Sequence, residues 1–380
     1  MRYVYTHLIS ENVAPQGATR IVTMETERDE DGKKIPVKEV GSIPYSRFGG
    51  LTRPGGDPDY SCMLWSDAHT NRVNPTWDSN NKLDNALTYA ESVGCKFVIG
   101  CGDFTQAGFY RKNEGDTDIT LDDGRVIPQQ GIWYDEAGMV EYNRIISKHR
   151  IPVFEIFGNH ESLYKPITLD LARAKELTGI PATAYTVSRS PDSDEIVGTT
   201  VRPNRYAPVG NDLYIMCGQP DWSTPMSSDD FEWLKNTLSA NKGRRCFVAV
   251  HSYMEEDSGD PLDLRENSAF DSWSKTAEYI NLLAQYPNVL AVHGHSHMKF
   301  EHQAVDPTAN YATVKGYKSL HVSSLGKPRN IVGSTTPEDA ASSQCYLVDV
   351  YSDCIVLNGL ELGTTGVPSV EVLGTLKINT

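Results

Sequence analysis

Five short polar motifs, each directly after an apolar, strand-like run, constrain the fold of this sequence more than any other feature. In chain order they are Asp67-Ala68-His69, Gly102-Asp103, Gly158-Asn159-His160-Glu161, His251 and Gly294-His295-Ser296-His297. Five of the ten His residues in the chain lie in these motifs. In open α/β sheets, ligands bind beyond the carboxyl ends of the strands. The pattern therefore predicts an α/β fold in which strand ends bring these side chains to one site.

Strand-like and helical segments alternate along the chain, and this order is typical of an α/β core. The spacing of apolar residues predicts helices over residues 78–93, 135–149, 228–240 and 273–286. Leu83, Leu87 and Ala90 share one face of the first helix, and Ser228 is the expected N-cap of the third. The strand-rich segment 311–380 adds further sheet, so we expect an α/β (α+β) fold.

The first 58 residues differ in pattern from the rest and are interpreted as an N-terminal extension, residues 1–58. Within them, segment 20–40 has two strand-like stretches around an Asp-Gly pair, which predicts a β-hairpin. Residues 59–380 form the predicted main domain. The polar segment 110–133 is predicted to be an insertion in that domain, with a second hairpin around the run LDDGR.

The chain is acidic, with a formal net charge of −15 and a pI of about 5.1. An acidic surface repels the backbone of a nucleic acid, which disfavours a nuclease or another nucleic-acid-binding protein. A small anionic substrate stays compatible with this charge, because bound cations reverse the potential at a site.

The seven Cys residues include no CxxC pair and are interpreted as buried reduced thiols. Residues 1–17 lack the apolar stretch of a signal peptide. No apolar run approaches the ~18 residues that a transmembrane helix requires. We therefore expect a cytoplasmic protein that does not span a membrane, with an oligomeric state that the sequence leaves open.

The motifs supply oxygen and nitrogen ligands at a repeated spacing. Asp67 and His69 are two residues apart, as are His295 and His297, so in an extended segment both members of a pair point the same way. No Cys joins the set, and mixed oxygen and nitrogen ligands favour Mn, Fe, Co or Zn over Ca or Mg. Each motif alone is common in proteins that bind no metal. The presence of all five motifs in one chain is what indicates a metal site. The seven candidate ligands are Asp67, His69, Asp103, Asn159, His251, His295 and His297.

Together the five motifs resemble the signature of the calcineurin-like metallophosphoesterase superfamily, D-x-H, GD, GNH-[D/E], H and GH-x-H. The similarity runs from residue 60 to residue 300, with terminal strands to residue 360, and leaves residues 1–58 and the 110–133 segment unexplained. It implies a sandwich of two mixed β-sheets flanked by helices. It also separates the chain from purple acid phosphatases, which lack an equivalent of His69 and carry a Tyr ligand where this chain has Gln106.

The same resemblance implies a site for two divalent metals. The first is held by Asp67, His69 and His297, the second by Asn159, His251 and His295, and Asp103 bridges them. It further implies that His160 stabilises the phosphoryl charge or protonates the leaving oxygen, and that Glu161 or another carboxylate orients His160. His293 also precedes His295 by two residues, but a structural strand His is the favoured interpretation.

The implied activity is hydrolysis of a phosphate ester or phosphoanhydride by a metal-bridging hydroxide, in a phosphodiesterase or phosphatase. The expected substrate is small and phosphorylated or nucleotide-like, while the substrate-binding residues stay open. Trp133, Tyr134 and Tyr164 lie near motif-bearing loops, but their type alone assigns them no role. The alternative is a catalytically silent structural or binding module, for example in a phage particle, that keeps the fold.

Overall fold

The computed structural model describes most of the predicted main domain and short stretches elsewhere. The described residues are 3–7, 20–28, 34–46, 50–51, 57–70, 78–106, 119–120, 126–127, 141–142, 144–162, 205–220, 224–252, 273–300, 311–314, 316–330, 337–363 and 370–380. Only the backbone is described for the strands before residue 52, for 119–120 and 126–127, and for residues 162, 205 and 311–314.

These residues form eighteen strands. The first nine are β1 (Tyr3–His7), β2 (Arg20–Arg28), β3 (Lys34–Ser46), β4 (Gly50–Leu51), β5 (Tyr60–Trp65), β6 (Val98–Gly100), β7 (Ile119–Thr120), β8 (Val126–Ile127) and β9 (Val153–Glu155). The others are β10 (Arg205–Val209), β11 (Asp212–Met216), β12 (Cys246–Ala249), β13 (Val289–His293), β14 (Tyr311–Val314), β15 (Tyr317–His321), β16 (Gln344–Val350), β17 (Cys354–Leu362) and β18 (Val370–Asn379).

Two mixed six-stranded sheets make up the main fold, as expected. One has the strand order β18-β17-β16-β5-β6-β9 and the other β10-β11-β12-β13-β15-β14. In the first sheet β5, β6 and β9 are parallel, while β16 pairs antiparallel with β5. In the second sheet β11, β12, β13 and β15 are parallel, with antiparallel strands at both edges.

Two smaller sheets correspond to the predicted hairpins. Strands β2 and β3 pair antiparallel within a four-stranded sheet, which confirms the hairpin expected in segment 20–40. Strands β7 and β8 pair antiparallel on either side of the LDDGR run. The division of the chain into an extension and a main domain with an insertion stays a prediction.

Helices cover the outer faces of the two large sheets, and within the described residues four are defined. They are α1 (Ser79–Ser92), the short α2 (Asn159–Ser162), α3 (Ser228–Ala240) and α4 (Thr276–Ala284). Three of the four predicted helices are therefore present close to their predicted bounds. Of the fourth, 135–149, residues 141–142 and 144–146 are helical, and the start lies outside the described residues. None of the helices in the described ranges is long and apolar enough to cross a membrane.

Strand β5 is buried on both faces, which explains its continuous apolar run. Cys62 and Leu64 pack between the sheets, in a cluster that also contains residues of β11 and β12. Met63 and Trp65 point to the opposite face and pack in the cluster that contains Leu83 of α1. A third cluster lies between the second sheet and helices α3 and α4. The core therefore has three layers of side chains around two sheets.

A buried polar network joins the two sheets at the amino ends of their central strands. The Tyr60 hydroxyl donates to Asp212 at 2.6 Å, and Arg245 forms a 2.7 Å ion pair with the same carboxylate. Arg245 also donates to the carbonyl of Tyr351 at 2.8 Å. The charges of Asp212 and Arg245 are hydrogen-bonded to each other and to neutral partners. These bonds offset the free-energy cost of burying the two charges.

The N-cap prediction for α3 was wrong by one residue. The helix begins at Ser228, so the cap is Ser227, whose side chain accepts a hydrogen bond from the Asp230 backbone at 3.1 Å. The Asp230 carboxylate in turn accepts from the Ser227 backbone at 3.3 Å, completing a capping box. Two adjacent serines offer the same chemistry, and only the point where the chain turns into the helix distinguishes them.

We predict that Ser227→Ala lowers the free energy of unfolding by about 1 kcal/mol, because the orphan Asp230 amide loses its acceptor. Ser228→Ala is the matched control, since Ser228 is exposed on the first turn and should change stability by less than about 0.5 kcal/mol. Urea denaturation followed by circular dichroism measures both. Equal effects of the two substitutions would contradict the assignment of the cap.

Candidate metal centre

The five motifs all follow parallel strands, and their side chains meet at one edge of the sandwich. The first sheet contributes Asp67 and His69 after β5, Asp103 after β6, and Asn159 and His160 after β9. The second contributes His251 after β12, and His295 and His297 after β13. The site therefore lies across both sheets and requires their packing.

One group of candidate ligands consists of Asp67, His69, Asp103 and His297, whose ligand atoms lie within 4.8 Å of one another. The His297 Nε2 atom is 3.0 Å from Asp67 Oδ1 and 3.0 Å from His69 Nε2. All four residues are buried. The three side chains of Asp67, His69 and His297 thus direct their ligand atoms into one small space.

A second group consists of Asp103, His251 and His295, also within 4.8 Å of one another. The His251 Nε2 atom is 3.2 Å from Asp103 Oδ2 and 3.2 Å from His295 Nδ1. Asn159 joins this group, because its Oδ1 atom is 2.8 Å from His251 Nε2. Asp103 belongs to both groups, so the structure brings all seven predicted ligands together around a shared carboxylate.

Backbone carbonyls determine which ring nitrogens face the site. The Nδ1 atom of His251 is 2.7 Å from the Cys101 carbonyl, and Nδ1 of His297 is 3.2 Å from the Lys327 carbonyl. Because a carbonyl only accepts, each Nδ1 donates its hydrogen, and each Nε2 is the ring nitrogen that can bind a metal once it has lost its proton. The Oδ1 atom of Asp67 is buried without a hydrogen-bond donor. Converging acceptors of this kind fit a divalent cation.

The charges of the site are coupled to one another. Burial alone raises the pKa of Asp67, but His297, His251 and His69 together hold it well below its usual range. Burial lowers the pKa of His251, yet Asp103 and Asp67 outweigh this and raise it to about 9. Without a cation, a proton on His251 offsets the carboxylates. Protons and a metal therefore compete for the same nitrogen.

The ligand-bearing backbone is left-handed rather than extended. Asp67, His69, Asp103, His295 and His297 have φ values of 53°, 49°, 53°, 73° and 62°. Few residues other than Gly adopt this region, and such strain clusters at functional sites. The prediction that the i, i+2 pairs converge because their segments are extended was therefore wrong in its reason. Asp67 and His69 do converge in one ligand group, through left-handed turns immediately after the strand, whereas His295 and His297 belong to different groups.

Two glycines allow the motifs to approach one another closely. A Cβ atom on Gly158 would collide with the Asp103 carboxylate and lie 2.6 Å from its backbone nitrogen. Gly102 has a φ of +95°, and a Cβ there would lie 2.6 Å from Nδ1 of His251. Glycine at these two positions therefore permits the close approach of the backbone.

A family model confirms what the motifs indicate. The model described as calcineurin-like phosphoesterase matches residues 63–299, which contain all five motifs. The chain belongs to this family. For this calcineurin-like phosphoesterase, family membership supports a metal-dependent phosphoester hydrolase, and the buried Asp/His groups suit a divalent metal.

Solved structures with a related fold have low sequence identity to this phosphoesterase, and no curated protein matches it. Purple acid phosphatase PPD1 from yellow lupin seeds is 13% identical, with a TM-score of 0.49, covering 95% of this chain and 59% of its own. GAP50 of Plasmodium is 14% identical (TM-score 0.44), covering 84% of this chain and 88% of its own. A putative 5'-nucleotidase from Staphylococcus aureus is 15% identical (TM-score 0.37), covering 83% and 53%. This chain thus spans under two thirds of the lupin phosphatase.

His160 lies at the opening of the site rather than among the candidate ligands. Its side chain is 20% exposed, with Nε2 3.8 Å from Asp103 Oδ2, and its ring packs edge-on against His69. Its backbone nitrogen donates to Asp103 Oδ1 at 2.8 Å. Burial lowers the pKa of His160, although Asp103 opposes this. The placement suits contact with a bound substrate.

The hydrogen bonds of Glu161 connect it to the backbone of two neighbouring loops. Its buried carboxylate accepts from the backbone nitrogens of Asp103, Thr105 and Gly158 at 3.1, 2.9 and 2.8 Å. The Thr105 hydroxyl donates to it as well, at 2.9 Å. Glu161 therefore connects the loops after β6 and β9 and stabilises the left-handed backbone at Asp103.

Of the other residues named from the sequence, the structure describes His293. His293 is buried in β13, where its Nε2 is 2.9 Å from the Ser319 hydroxyl, and it belongs to neither ligand group. This agrees with its interpretation as a structural His. Trp133, Tyr134 and Tyr164 lie outside the described residues. Sequence reasoning missed Lys327, a buried residue after β15, because it follows the strand-like run KSLHVSS without a recognisable motif.

We predict that Gly158→Ala weakens Mn²⁺ binding about 10- to 100-fold, the range for changes in residues that support metal ligands. The new methyl group would displace the Asp103 carboxylate from both ligand groups. Gly374→Ala is the control, because nothing lies within 4 Å of a Cβ at that position. Titration calorimetry with Mn²⁺ measures the affinity, and unchanged affinity in Gly158→Ala would contradict the crowding around Asp103.

Proposed function

We propose that this calcineurin-like phosphoesterase is a dinuclear-metal hydrolase of phosphate ester or phosphoanhydride bonds. The observation that carries the proposal is the shared carboxylate of Asp103, which belongs to both groups of candidate ligands. A carboxylate has two oxygens, so one side chain can bridge two neighbouring cations. Two cations held in this way are typical of enzymes that displace an oxygen at phosphorus.

The two groups divide the ligands between two metals. Asp67, His69 and His297 would hold the first, Asn159, His251 and His295 would hold the second, and Asp103 would bridge them. The mixture of oxygen and nitrogen atoms suits Mn, Fe, Co or Zn, and the choice among these stays open. When bound, the metals would supply a hydroxide nucleophile near neutral pH and neutralise charge on the phosphoryl oxygens.

His160 is the proposed proton donor or charge-stabilising group. Its ring is partly exposed, and its position beside Asp103 keeps it within reach of a substrate at the shared carboxylate. A neutral or protonated imidazole there can donate a hydrogen bond to a phosphoryl or leaving oxygen. The loop contacts of Glu161 hold His160 in place indirectly, through the backbone of Asp103 and Gly158.

The substrate is proposed to be small and phosphorylated or nucleotide-like. The net charge of −15 opposes binding of a long polyanion, while the cations of the site would attract one phosphoryl group. A screen of phosphomonoesters, phosphodiesters and nucleoside diphosphate derivatives with added Mn²⁺ tests which class of substrate is hydrolysed. Bis-(p-nitrophenyl) phosphate is the first substrate. Metal bound without turnover of any compound would favour a silent binding module instead.

Asp103→Ala is predicted to abolish turnover and to remove metal from both positions. The substitution deletes the only carboxylate that the two ligand groups share. Metal analysis after dialysis measures the bound ions, and the same assay measures turnover. Asp349→Ala is a control for loss of a buried carboxylate, because Asp349 pairs with Ser61 in the sheet instead. Retention of metal by Asp103→Ala would contradict the bridging role.

His160→Ala is predicted to lower kcat by ~10²–10⁴ with the metal content retained, the range for a positioned acid or base. His149→Ala is the matched control, since His149 pairs with Asp84 and Glu91 away from the site. Steady-state kinetics on the same substrate, with metal analysis of both variants, makes the comparison. Wild-type turnover in His160→Ala would show that the role assignment is wrong.

A further inference from the structure

Residues 324–327, which follow β15, cross from the second sheet to the first beside the candidate metal centre. We call them the support segment. The Ser324 hydroxyl donates to the Asp67 carbonyl at 2.8 Å, and the Gly326 backbone nitrogen donates to the same carbonyl at 3.0 Å. The Ser324 carbonyl accepts from the backbone of Gln344, in β16 of the first sheet, at 3.1 Å. The support segment therefore fixes the backbone of Asp67 with two hydrogen bonds from outside its own strand.

The end of the support segment contacts a second candidate ligand. The Lys327 carbonyl is 3.2 Å from His297 Nδ1, and the Lys327 backbone nitrogen donates to the Ser324 hydroxyl at 2.7 Å. The Ser324 hydroxyl thus accepts a hydrogen bond from Lys327 and donates one to Asp67. Asp67 and His297 both belong to the first ligand group. One hydroxyl therefore connects the backbone positions that orient two ligands of that group.

The support segment lies directly against the backbone of the first motif. A Cβ atom on Gly326 would collide with the Ala68 carbonyl and lie 3.0 Å from the Asp67 carbonyl oxygen. Asp67 and His69, on either side of Ala68, have left-handed φ values of 53° and 49°. Such a backbone is strained and persists only where the surrounding structure restrains it. The support segment supplies part of this restraint.

A fully buried lysine holds the support segment from helix α1. The Lys82 ammonium donates to the Gly326 carbonyl at 2.8 Å. Because a buried ammonium is costly without a hydrogen bond, separating the Gly326 carbonyl from Lys82 is costly as well. Gly326 thus has its carbonyl bound to Lys82 and its backbone nitrogen bound to Asp67. Lys82 therefore acts on a candidate ligand through one residue of the support segment.

The second ligand group is supported by other parts of the chain. The Nδ1 atom of His251 is 2.7 Å from the Cys101 carbonyl, in the segment after β6. The Asp103 backbone nitrogen donates to Glu161, in the segment after β9, at 3.1 Å. Both of these supports come from the first sheet and lie outside residues 324–327. The contacts that hold the two groups therefore differ.

We propose that Ser324 and Lys82 are positioning residues for the first metal, which keep Asp67 and His297 in place through the support segment. The inference rests on the proposed function for the division of the ligands between two metals, but not on hydrolysis. Residues that support metal ligands change metal affinity by about 10- to 100-fold. Loss of either positioning residue should therefore weaken the first metal more than the second.

The test measures Mn²⁺ binding to Ser324→Ala, Lys82→Met and Lys82→Arg by titration calorimetry, with the two equivalents fitted separately. Ser61→Ala is the matched control for Ser324→Ala. Ser61 is also a buried serine, and its hydroxyl donates to Asp349 at 2.6 Å within the first sheet. Circular dichroism shows whether each variant is folded.

A second measurement identifies which metal is lost. The visible absorption of one equivalent of Co²⁺ depends on the ligands around the ion. His69→Ala removes a ligand of the first group only, and Asn159→Ala removes a ligand of the second group only. Their spectra with one equivalent of Co²⁺ are the references for the ion that remains in each variant.

Ser324→Ala should weaken one Mn²⁺ equivalent about 10- to 100-fold, the range for residues that support metal ligands. The other equivalent should weaken several-fold less. A small effect there is expected because Asp67 Oδ2 also accepts from the His295 backbone nitrogen at 3.0 Å. The spectrum of Ser324→Ala with one equivalent of Co²⁺ should match that of His69→Ala.

Lys82→Met should act in the same direction by a smaller factor, because its effect passes through one further hydrogen bond. Lys82→Arg should recover part of the affinity, since its guanidinium keeps donors for the Gly326 carbonyl. Ser61→Ala should leave both equivalents within about twofold of wild type, because sites that share no contacts act independently.

Equal weakening of both equivalents in Ser324→Ala, or a Co²⁺ spectrum that matches Asn159→Ala, would overturn the inference. The same loss in Ser61→Ala would also overturn it, since general destabilisation would then explain both. If Ser324→Ala does not fold, unchanged Mn²⁺ affinity in Lys82→Met would do the same. If the wild-type protein binds a single ion that Ser324→Ala weakens and Ser61→Ala does not, the dinuclear proposal fails and the positioning role stands.

Discussion

The parallel pairing of strands is the constraint on which the whole site depends. Strands β5, β6 and β9 end at the same edge of one sheet, and β12 and β13 end at the matching edge of the other. Packing of the two sheets then brings both edges together. The buried Tyr60–Asp212–Arg245 network connects the sheets at the amino ends of these strands. The carboxyl ends of these strands are followed by the loops that hold the candidate ligands.

The motifs predicted the site well because each consists of residues whose chemistry is unusual directly after an apolar strand. All seven candidate ligands meet in the structure, and the layered fold follows from the alternation of strands and helices. The local backbone geometry was harder to predict from the sequence. Ser227 and Ser228 are chemically identical, so composition could not locate the cap of α3. Left-handed turns at residues such as Asp67 follow only weakly from side-chain type, and the extended geometry was the wrong expectation.

Contacts between residues that are far apart in the chain explain which features of the site the sequence did not predict. Glu161 lies next to His160 in the chain, yet its carboxylate contacts the backbone of a loop that is 56 to 58 residues away. Lys327 lies 30 residues after His297 and becomes part of the same site only through the pairing of β13 with β15. Neither relationship has a periodicity or a motif. Both depend on how the sheets order their strands.

The left-handed backbone at five candidate ligands has a further implication for divergence within the family. Each of these side chains sits on a backbone conformation that glycine adopts at no steric cost, so the backbone is strained with the residues present. Retaining Asp and His at all five positions therefore opposes the local preference of the chain. Glycine at any of these turns would relieve the local backbone strain and at the same time remove a candidate ligand.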